Sequence, residues 1–284
     1  MSNGVKIIMK IQYLGTAASE AIPAPFCNCR VCENARAKKK REIRTRSQAV
    51  IDDCLVVDYP CDTYDHMIRF GLDMRKVNNV LLTHSHSDHF YPEDITLKRP
   101  DVAKNLNDIL HIYGNEANQK KYNAAVDKEN RPKKLFTDYQ QYHKIDAFET
   151  FQADKYTITS LKANHDTREE CLLYLINDGQ KTLFYGNDTG VFPQSTWDYL
   201  KGYKLDIVSL DCTMLKMPHV FNHMNLEDVI WTRKKMIDEK IADKDTVFVI
   251  THFSHNGDMT YDEIDKFARE NGFLAAYDGF IVER

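Results

Sequence analysis

Four potential metal ligands within six residues constrain this chain more than any other feature. The segment Leu81-Leu82-Thr83-His84-Ser85-His86-Ser87-Asp88-His89-Phe90 runs straight out of an apolar stretch, Val77–Leu82. Three imidazoles and a carboxylate at that density are awkward to bury without a cation, because each polar group needs a partner. Held by a rigid strand end they can converge, and imidazole nitrogen with carboxylate oxygen suits zinc, manganese or iron. Three more candidates sit where apolar runs end: His165 beyond Tyr156–Leu161, Asp188 beyond Thr182–Tyr185, and His252 beyond Val247–Ile250. Sheet-end loops are where rigid scaffolds commonly place chemistry. Alone, each reads as a cap or a satisfied polar residue; with the first cluster they supply what a two-metal site needs.

The rest of the pattern bears on fold class. Ile7–Leu14, Gln48–Ile51, Leu55–Val57, Ile109–Tyr113, Leu172–Ile176, Leu205–Leu210 and Phe273–Val282 read as further strands, short and rich in Val, Ile, Tyr and Phe. Asp178-Gly179 reads as a hairpin turn. Helical spacing covers Thr63–Phe70, Glu116–Val126, Leu226–Ile241 and Tyr261–Glu270, the last entered through a capping-box pattern, Thr260 to Glu263. Strands come first in hairpin-like blocks and then interleaved with helices, which predicts sheets covered by helices, a layered α/β or α+β architecture. Residues 91–150 are rich in Lys, Asn, Tyr and Gln and less regular. They are expected to form an insertion in a single domain, a helical lid or an oligomer contact, with ordinary core helices as the alternative.

Composition narrows the function. With 284 residues, 43% hydrophobic and 28% charged, the chain is neither disordered nor a disulfide-packed mini-protein, and it can bury a sizeable core. A net charge of −4 supplies no global basic field for nucleic acid or anionic lipid. The local run Lys38-Lys39-Lys40-Arg41, with Arg44 and Arg46, can touch phosphates but reads first as a solvated helix face. No run of 18 apolar residues exists, so no membrane span is expected. The N-terminus lacks a signal-peptide core and cleavage site, so the expected location is the cytoplasm. Of seven cysteines, Cys27, Cys29 and Cys32 crowd together, a pattern that favours metal binding over disulfides in such a protein. Cys54, Cys61, Cys171 and Cys212 read as small hydrophobes. His66, His111, His143 and His219 have no ligand context and read as surface or satisfied structural histidines.

The order His84-x-His86-x-Asp88-His89, then His165, Asp188 and His252, resembles the metallo-β-lactamase superfamily. The resemblance implies a four-layer αββα sandwich with a dinuclear site: His84, His86 and His165 on one metal, Asp88, His89 and His252 on the other, and Asp188 bridging. Leu14-Gly15-Thr16 followed by the Cys27-x-Cys29-x-x-Cys32 segment resembles the PhnP-like cyclic-phosphate phosphodiesterase subgroup. In that subgroup three cysteines and a histidine form a structural zinc site, and the fourth ligand here would be His255. Three thiolates and one imidazole close a tetrahedral zinc shell and leave no position for chemistry. His223 resembles the subgroup's phosphate-contacting or proton-donating histidine. The chain departs from the superfamily after His89, where Phe90-Tyr91-Pro92-Glu93-Asp94 replaces a usual nearby glycine, and over residues 91–150.

These readings imply a metal-dependent hydrolase that acts on a small, favourably cyclic, phosphodiester through a metal-activated hydroxide. Asp88 would orient the nucleophile and accept its proton, and His223 would contact the phosphate or protonate the leaving group. The implied cofactors are two zinc or manganese ions, with iron in the same donor class, and one structural zinc. An RNA-processing endonuclease of the tRNA 3′-end type and a lactone or thioester hydrolase are the alternatives. The expected partner is a small molecule, with nucleic acid less favoured and a homodimer left open. A diiron redox role would normally bring a flavin-binding domain, for which the chain has no motif.

Overall fold

The computed structural model describes residues 8–284. The first six strands are β1 (Lys10–Gly15), β2 (Gln48–Ile51), β3 (Leu55–Val57), β4 (Asn79–Leu81), β5 (Leu110–Gly114) and β6 (Gln140–Lys144). A second sheet takes β7 (Thr150–Ala153), β8 (Tyr156–Lys162), β9 (Leu172–Asn177), β10 (Thr182–Gly186), β11 (Ile207–Asp211), β12 (Val247–Thr251) and β13 (Leu274–Ala275), and β14 (Phe280–Glu283) returns to the first. The spatial orders are β14-β1-β2-β3-β4-β5-β6 and β13-β12-β11-β10-β9-β8-β7. Each sheet passes from antiparallel pairs at one end to parallel pairs at the other, with the change at β3 and at β10.

Side-chain alternation along the strands builds the layers. Ile11, Tyr13, Ala49, Ile51, Leu55, Val57 and Leu81 point inward to meet Leu172, Tyr174, Ile176, Leu183, Tyr185 and Ile207 in a core between the sheets. Their strand neighbours Val50, Val56, Val80 and Ile112 point outward. They pack under α2 (Thr63–Phe70), α3 (Pro92–Ile95), α4 (Glu116–Lys128) and α5 (Lys134–Thr137). On the far face Leu173, Leu175, Val208 and Ile250 pack under α6 (Gln194–Leu200), α7 (Leu226–Asp238) and α8 (Tyr261–Glu270). The helix α1 (Arg30–Lys38) covers the loop after β1. The architecture is an αββα sandwich.

Several elements differ from the sequence reading. The run Phe273–Val282 is two strands, broken at Asp278-Gly279, where Gly279 adopts φ 90° and donates its N–H to Tyr13 O at 2.7 Å. The chain changes sheet there. Residues 91–150, read as an insertion, instead supply β5, β6 and α4, which build the parallel end of the first sheet. Their pattern was weak because β6 is an edge strand, Gln140-Gln141-Tyr142-His143-Lys144, with only Gln140 buried. Residues 1–7, including the start of the expected first strand, lie outside the described residues. The Thr260–Glu263 capping box forms as read, with the Glu263 carboxylate accepting from the Thr260 N–H at 2.8 Å.

Candidate metal centre

β1, β3, β4 and β5 run in one direction, as do β8, β10, β11 and β12 in the other sheet. Their carboxyl ends open at one edge of the sandwich, and the sequence-expected ligands lie in those loops. Three of the groups there occupy left-handed backbone: Asp58 (φ 65°), Asp188 (φ 55°) and His252 (φ 63°). Asp and His tolerate this region better than most residues, and such strain persists only where the surroundings hold it.

Four overlapping donor groups form here, each with one ligand atom per residue and all atoms within 4.8 Å of one another; two hold the sequence-expected ligands, His84, His86, His165 and Asp188, and Asp88, His89, Asp188 and His252, and the others are Asp188, Asp211, His223 and His252, and His86, Asp166 and Glu169. Asp188 belongs to both groups of expected ligands. The fit to cations rests on the donors themselves. His84 Nδ1 faces Thr83 Oγ1 at 3.0 Å, which leaves Nε2 inward, buried and without a hydrogen-bond partner. Asp188 Oδ1 is likewise buried and unpartnered by hydrogen bonds. His89 Nδ1 donates to Asp58 Oδ2 at 2.7 Å and His252 Nδ1 to Thr213 Oγ1 at 2.7 Å. The two Nε2 atoms then face each other at 3.2 Å. With a proton on His89 Nε2 this contact is a hydrogen bond; without it the two lone pairs oppose, and a cation can take the proton's place.

The surrounding charges act unequally. Complete burial, with neighbouring imidazoles, holds His84 well below the ordinary histidine range. Burial acts the same way on His89, but the carboxylates of Asp58 and Asp88 overcome it and raise its proton affinity well above the ordinary range. Asp188 is desolvated too, yet the imidazoles of His252 and His165 keep its carboxyl well below the usual value. His223 Nδ1 sits 3.2 Å from Asp211 Oδ2 and 3.2 Å from Asp188 Oδ1. Burial opposes its charge, the Asp211 carboxylate outweighs burial, and the ring is pushed up to about 9.

The cluster floors a cavity of about 340 Å³ whose walls include Glu20, His86, Asp88, His165, Asp188, Met214, Met217 and His223. A larger cavity, about 800 Å³, lies under α3 between Tyr59, Met67, Leu97 and Leu110 and holds none of the clustered donors.

A separate group gathers Cys27, Cys29, Cys32 and His255 within the same 4.8 Å limit. His255 Nδ1 lies 3.6 Å from Cys27 Sγ and 3.5 Å from Cys29 Sγ. Zinc bonded tetrahedrally to sulfur and nitrogen would separate them by about 3.6 Å. Burial raises both Cys29 and Cys32; Cys32 reaches about 12, whereas hydrogen bonds from the Cys32 backbone and neighbouring side chains bring Cys29 down to about 7.

Every ligand position expected from the sequence therefore lies in one of these clusters. Asp58, Asp211 and Thr213, which hold the imidazoles from behind, escaped the sequence reading. Their only signal was position, each just past an apolar strand. His66 is a satisfied core residue, on Gln48 Oε1 at 2.6 Å and Thr45 Oγ1 at 2.7 Å; His111 and His143 pair at 2.9 Å, and His219 rests on Asp228 at 3.0 Å. The basic run does not form a phosphate surface as a unit. Arg44 is buried and donates to Thr16 and Ala276, and Arg46 pairs with Asp62.

A family profile described as a beta-lactamase superfamily domain matches residues 63–253. No curated protein sequence matches the chain. A diphosphatase from the PhnP family has a similar solved structure, with 21% identity and TM-score 0.74 over 98% of each chain. Zn²⁺-bound PqqB from Methylobacterium extorquens is similar at 17% identity and TM-score 0.67, over 96% of this chain and 99% of that one. Human tRNase Z, short form, is similar at 15% identity and TM-score 0.63, over 96% of this chain and 98% of that one. These likenesses are of fold. Among the described residues, no helix is long and apolar enough to cross a membrane.

Proposed function

Because the chain belongs to the beta-lactamase superfamily and has the metallo-β-lactamase fold of a hydrolase, we propose that it cleaves a small phosphodiester at a pair of divalent cations. On this reading His84, His86 and His165 would hold one cation, Asp88, His89 and His252 the other, and Asp188, which belongs to both donor groups, would serve both. Zinc and manganese suit this donor set, and iron belongs to the same class. Cations bound there supply an acidified water as nucleophile and neutralise the charge of the ester. Asp88 would be placed to orient that water and to accept its proton. His223 is held by Asp211 through Nδ1, so Nε2 is left to donate to an ester oxygen or to the leaving group.

The observation that carries the reading is the place of His223, in the wall of the same small cavity, braced by Asp211 and with Asp188 Oδ1 3.2 Å away. Two cations and a third donor suit the two non-bridging oxygens and the leaving oxygen of a phosphate, and exceed what one neutral carbonyl needs. The cavity's 340 Å³ is at the small end of ligand pockets and favours a small molecule over an RNA body. The cysteine cluster would hold zinc and fix the loop of His252, three residues before His255. Cys29→Ala should then lose one zinc per chain and lower the thermal midpoint while the catalytic pair can still be loaded; full zinc content by elemental analysis would refute that role.

The deciding experiment supplies zinc or manganese and compares bis-p-nitrophenyl phosphate with a γ-lactone and a thioester. Diester turnover is expected. Fast lactone or thioester cleavage with no diester turnover would overturn the reading.

A further inference from the structure

Three carboxylates line the catalytic cavity, and Glu20 is the one that no donor cluster uses. It stands on the loop after β1, in a tight turn closed by the Ala21 N–H on Ala18 O at 3.0 Å. The turn is lashed to the far sheet by the Ala18 N–H on Phe253 O at 3.1 Å, next to His252. Arg46 Nε holds the Ser19 carbonyl at 2.9 Å. The Glu20 carboxylate accepts hydrogen bonds from Ser254 Oγ and Ser19 Oγ and lies 3.7 Å from His255 Nε2. Glu20 is therefore a fixed charge in the wall, not a loose surface acid.

The other walls give that charge its meaning. Met214 and Met217 form an apolar side, and Ser19, Thr213, Asn222, Ser254 and Asn256 offer neutral polar groups. No lysine or arginine is among the lining residues. Among the lining residues positive charge can come only from the histidines, and cations held by the donor clusters would add theirs at the same end of the cavity. Arg168 lines the adjoining rim beyond His86 and His165, where Asp166 already pairs with it, so an additional anionic group in this cavity would find no unpaired cation and would face Glu20.

Resting on the phosphodiesterase reading, we propose that Glu20 determines specificity by charge. It admits esters whose arms are neutral and discriminates against those that carry a second phosphate or carboxylate. The substrate class is then a singly charged phosphodiester with at least one apolar or neutral polar arm, and a polyanionic RNA end is a poor fit. Charges ~8 Å apart in a solvated cavity alter binding by about threefold per unit charge, so an extra phosphate should lose about five- to tenfold.

The test uses the metal-loaded protein and two substrates that release the same chromophore: thymidine 5′-p-nitrophenyl phosphate, and the same ester carrying a 3′-phosphate. The ratio of their kcat/KM values cancels any general damage from a substitution. Wild type should prefer the first by about five- to tenfold, with a smaller preference at high salt. Glu20→Gln should lose most of that preference, and Glu20→Asp, which keeps the charge, should retain it. An unchanged ratio in Glu20→Gln overturns the inference, as does equal loss in Glu20→Asp. Wild type that cleaves both esters equally overturns the charge filter alone; wild type that cleaves neither overturns the phosphodiesterase reading, and the filter with it.

Discussion

The two sides of the donor cluster are braced in different ways. Behind His89 stands the Asp58 carboxylate and behind His252 the Thr213 hydroxyl, itself held on Asp211; both carboxylates have no solvent exposure, and the two imidazoles are 0% and 2% exposed. Behind His84 stands the Thr83 hydroxyl, itself held on Asp58 as Thr213 is on Asp211, behind His165 the Asn222 carbonyl, and behind His86 Asp166, which it shares with Arg168. The His86 side chain is 35% exposed. A buried carboxylate behind an imidazole fixes its tautomer and strengthens it as a ligand, and exclusion of water protects the bond. One side is thus locked, with every ligand buried; the other is open only at His86, because His84 and His165 are 1% and 5% exposed. The difference concerns how a cation is kept, because donor number is similar on both sides.

The largest effect should come from the residue that both sides share. Asp188→Ala removes the bridging carboxylate and leaves two facing half-sites. Loss of catalytic metal and a fall of roughly 10³-fold or more in diester hydrolysis are expected. Retention of both cations by elemental analysis would break the two-sided description at its root. Asp58→Asn comes next and acts chiefly on the locked side, where Asp58 holds His89 directly; it reaches His84 only through the Thr83 hydroxyl. An amide still accepts from Thr83 but no longer strengthens His89, so metal affinity on that side should fall about 10- to 100-fold in a chelator competition.

pH separates the sides by about tenfold per unit. In the metal-free protein His89 holds its proton far above the ordinary range, so a cation entering the locked side must displace it. Affinity there should rise about tenfold for each pH unit through neutrality. His84, held well below the ordinary range, is already neutral and adds no such slope. Calorimetry in buffers of different ionisation enthalpy counts the protons released, and equal release from both sides would contradict the assignment. The sign for stability follows from the same proton: His89 stabilises the metal-free fold at low pH, and that contribution is lost as pH rises through its raised value.

The sequence made one part of this contrast visible and hid the other. His84, His86, Asp88 and His89 crowd one loop, so their chemistry shows as density, and the apolar runs before His165, Asp188 and His252 mark strand ends. Asp58 and Asp211 gave no such signal, because a lone aspartate after a strand is usually a cap. Their role depends on a left-handed turn at Asp58 and on sheet neighbours far away in the chain. The same limit explains residues 91–150. β6 pairs with β5 through backbone bonds that need no apolar alternation, and α4 acts through polar groups, with the Asn118 amide on His84 O at 2.8 Å and Lys121 Nζ on Ser85 O at 2.8 Å. Patterns of hydrophobicity do not report polar struts.

The smallest expected effect is the sharpest test of the contrast. Asp166 is the open side's one carboxylate brace, with Oδ2 2.9 Å from His86 Nε2. The same oxygen takes Arg168 Nη2 at 2.6 Å, and that guanidinium side chain is 82% exposed. A carboxylate already neutralised by a cation and screened by water passes little charge on to the imidazole. Asp166→Asn should therefore weaken metal on the open side by less than about threefold, against the 10- to 100-fold expected for Asp58→Asn. If the two amides cost the same in parallel competition titrations, burial of the brace is irrelevant. Both sides would then be held by imidazole and carboxylate donors alone, and the distinction between a locked and an open cation would have to be abandoned.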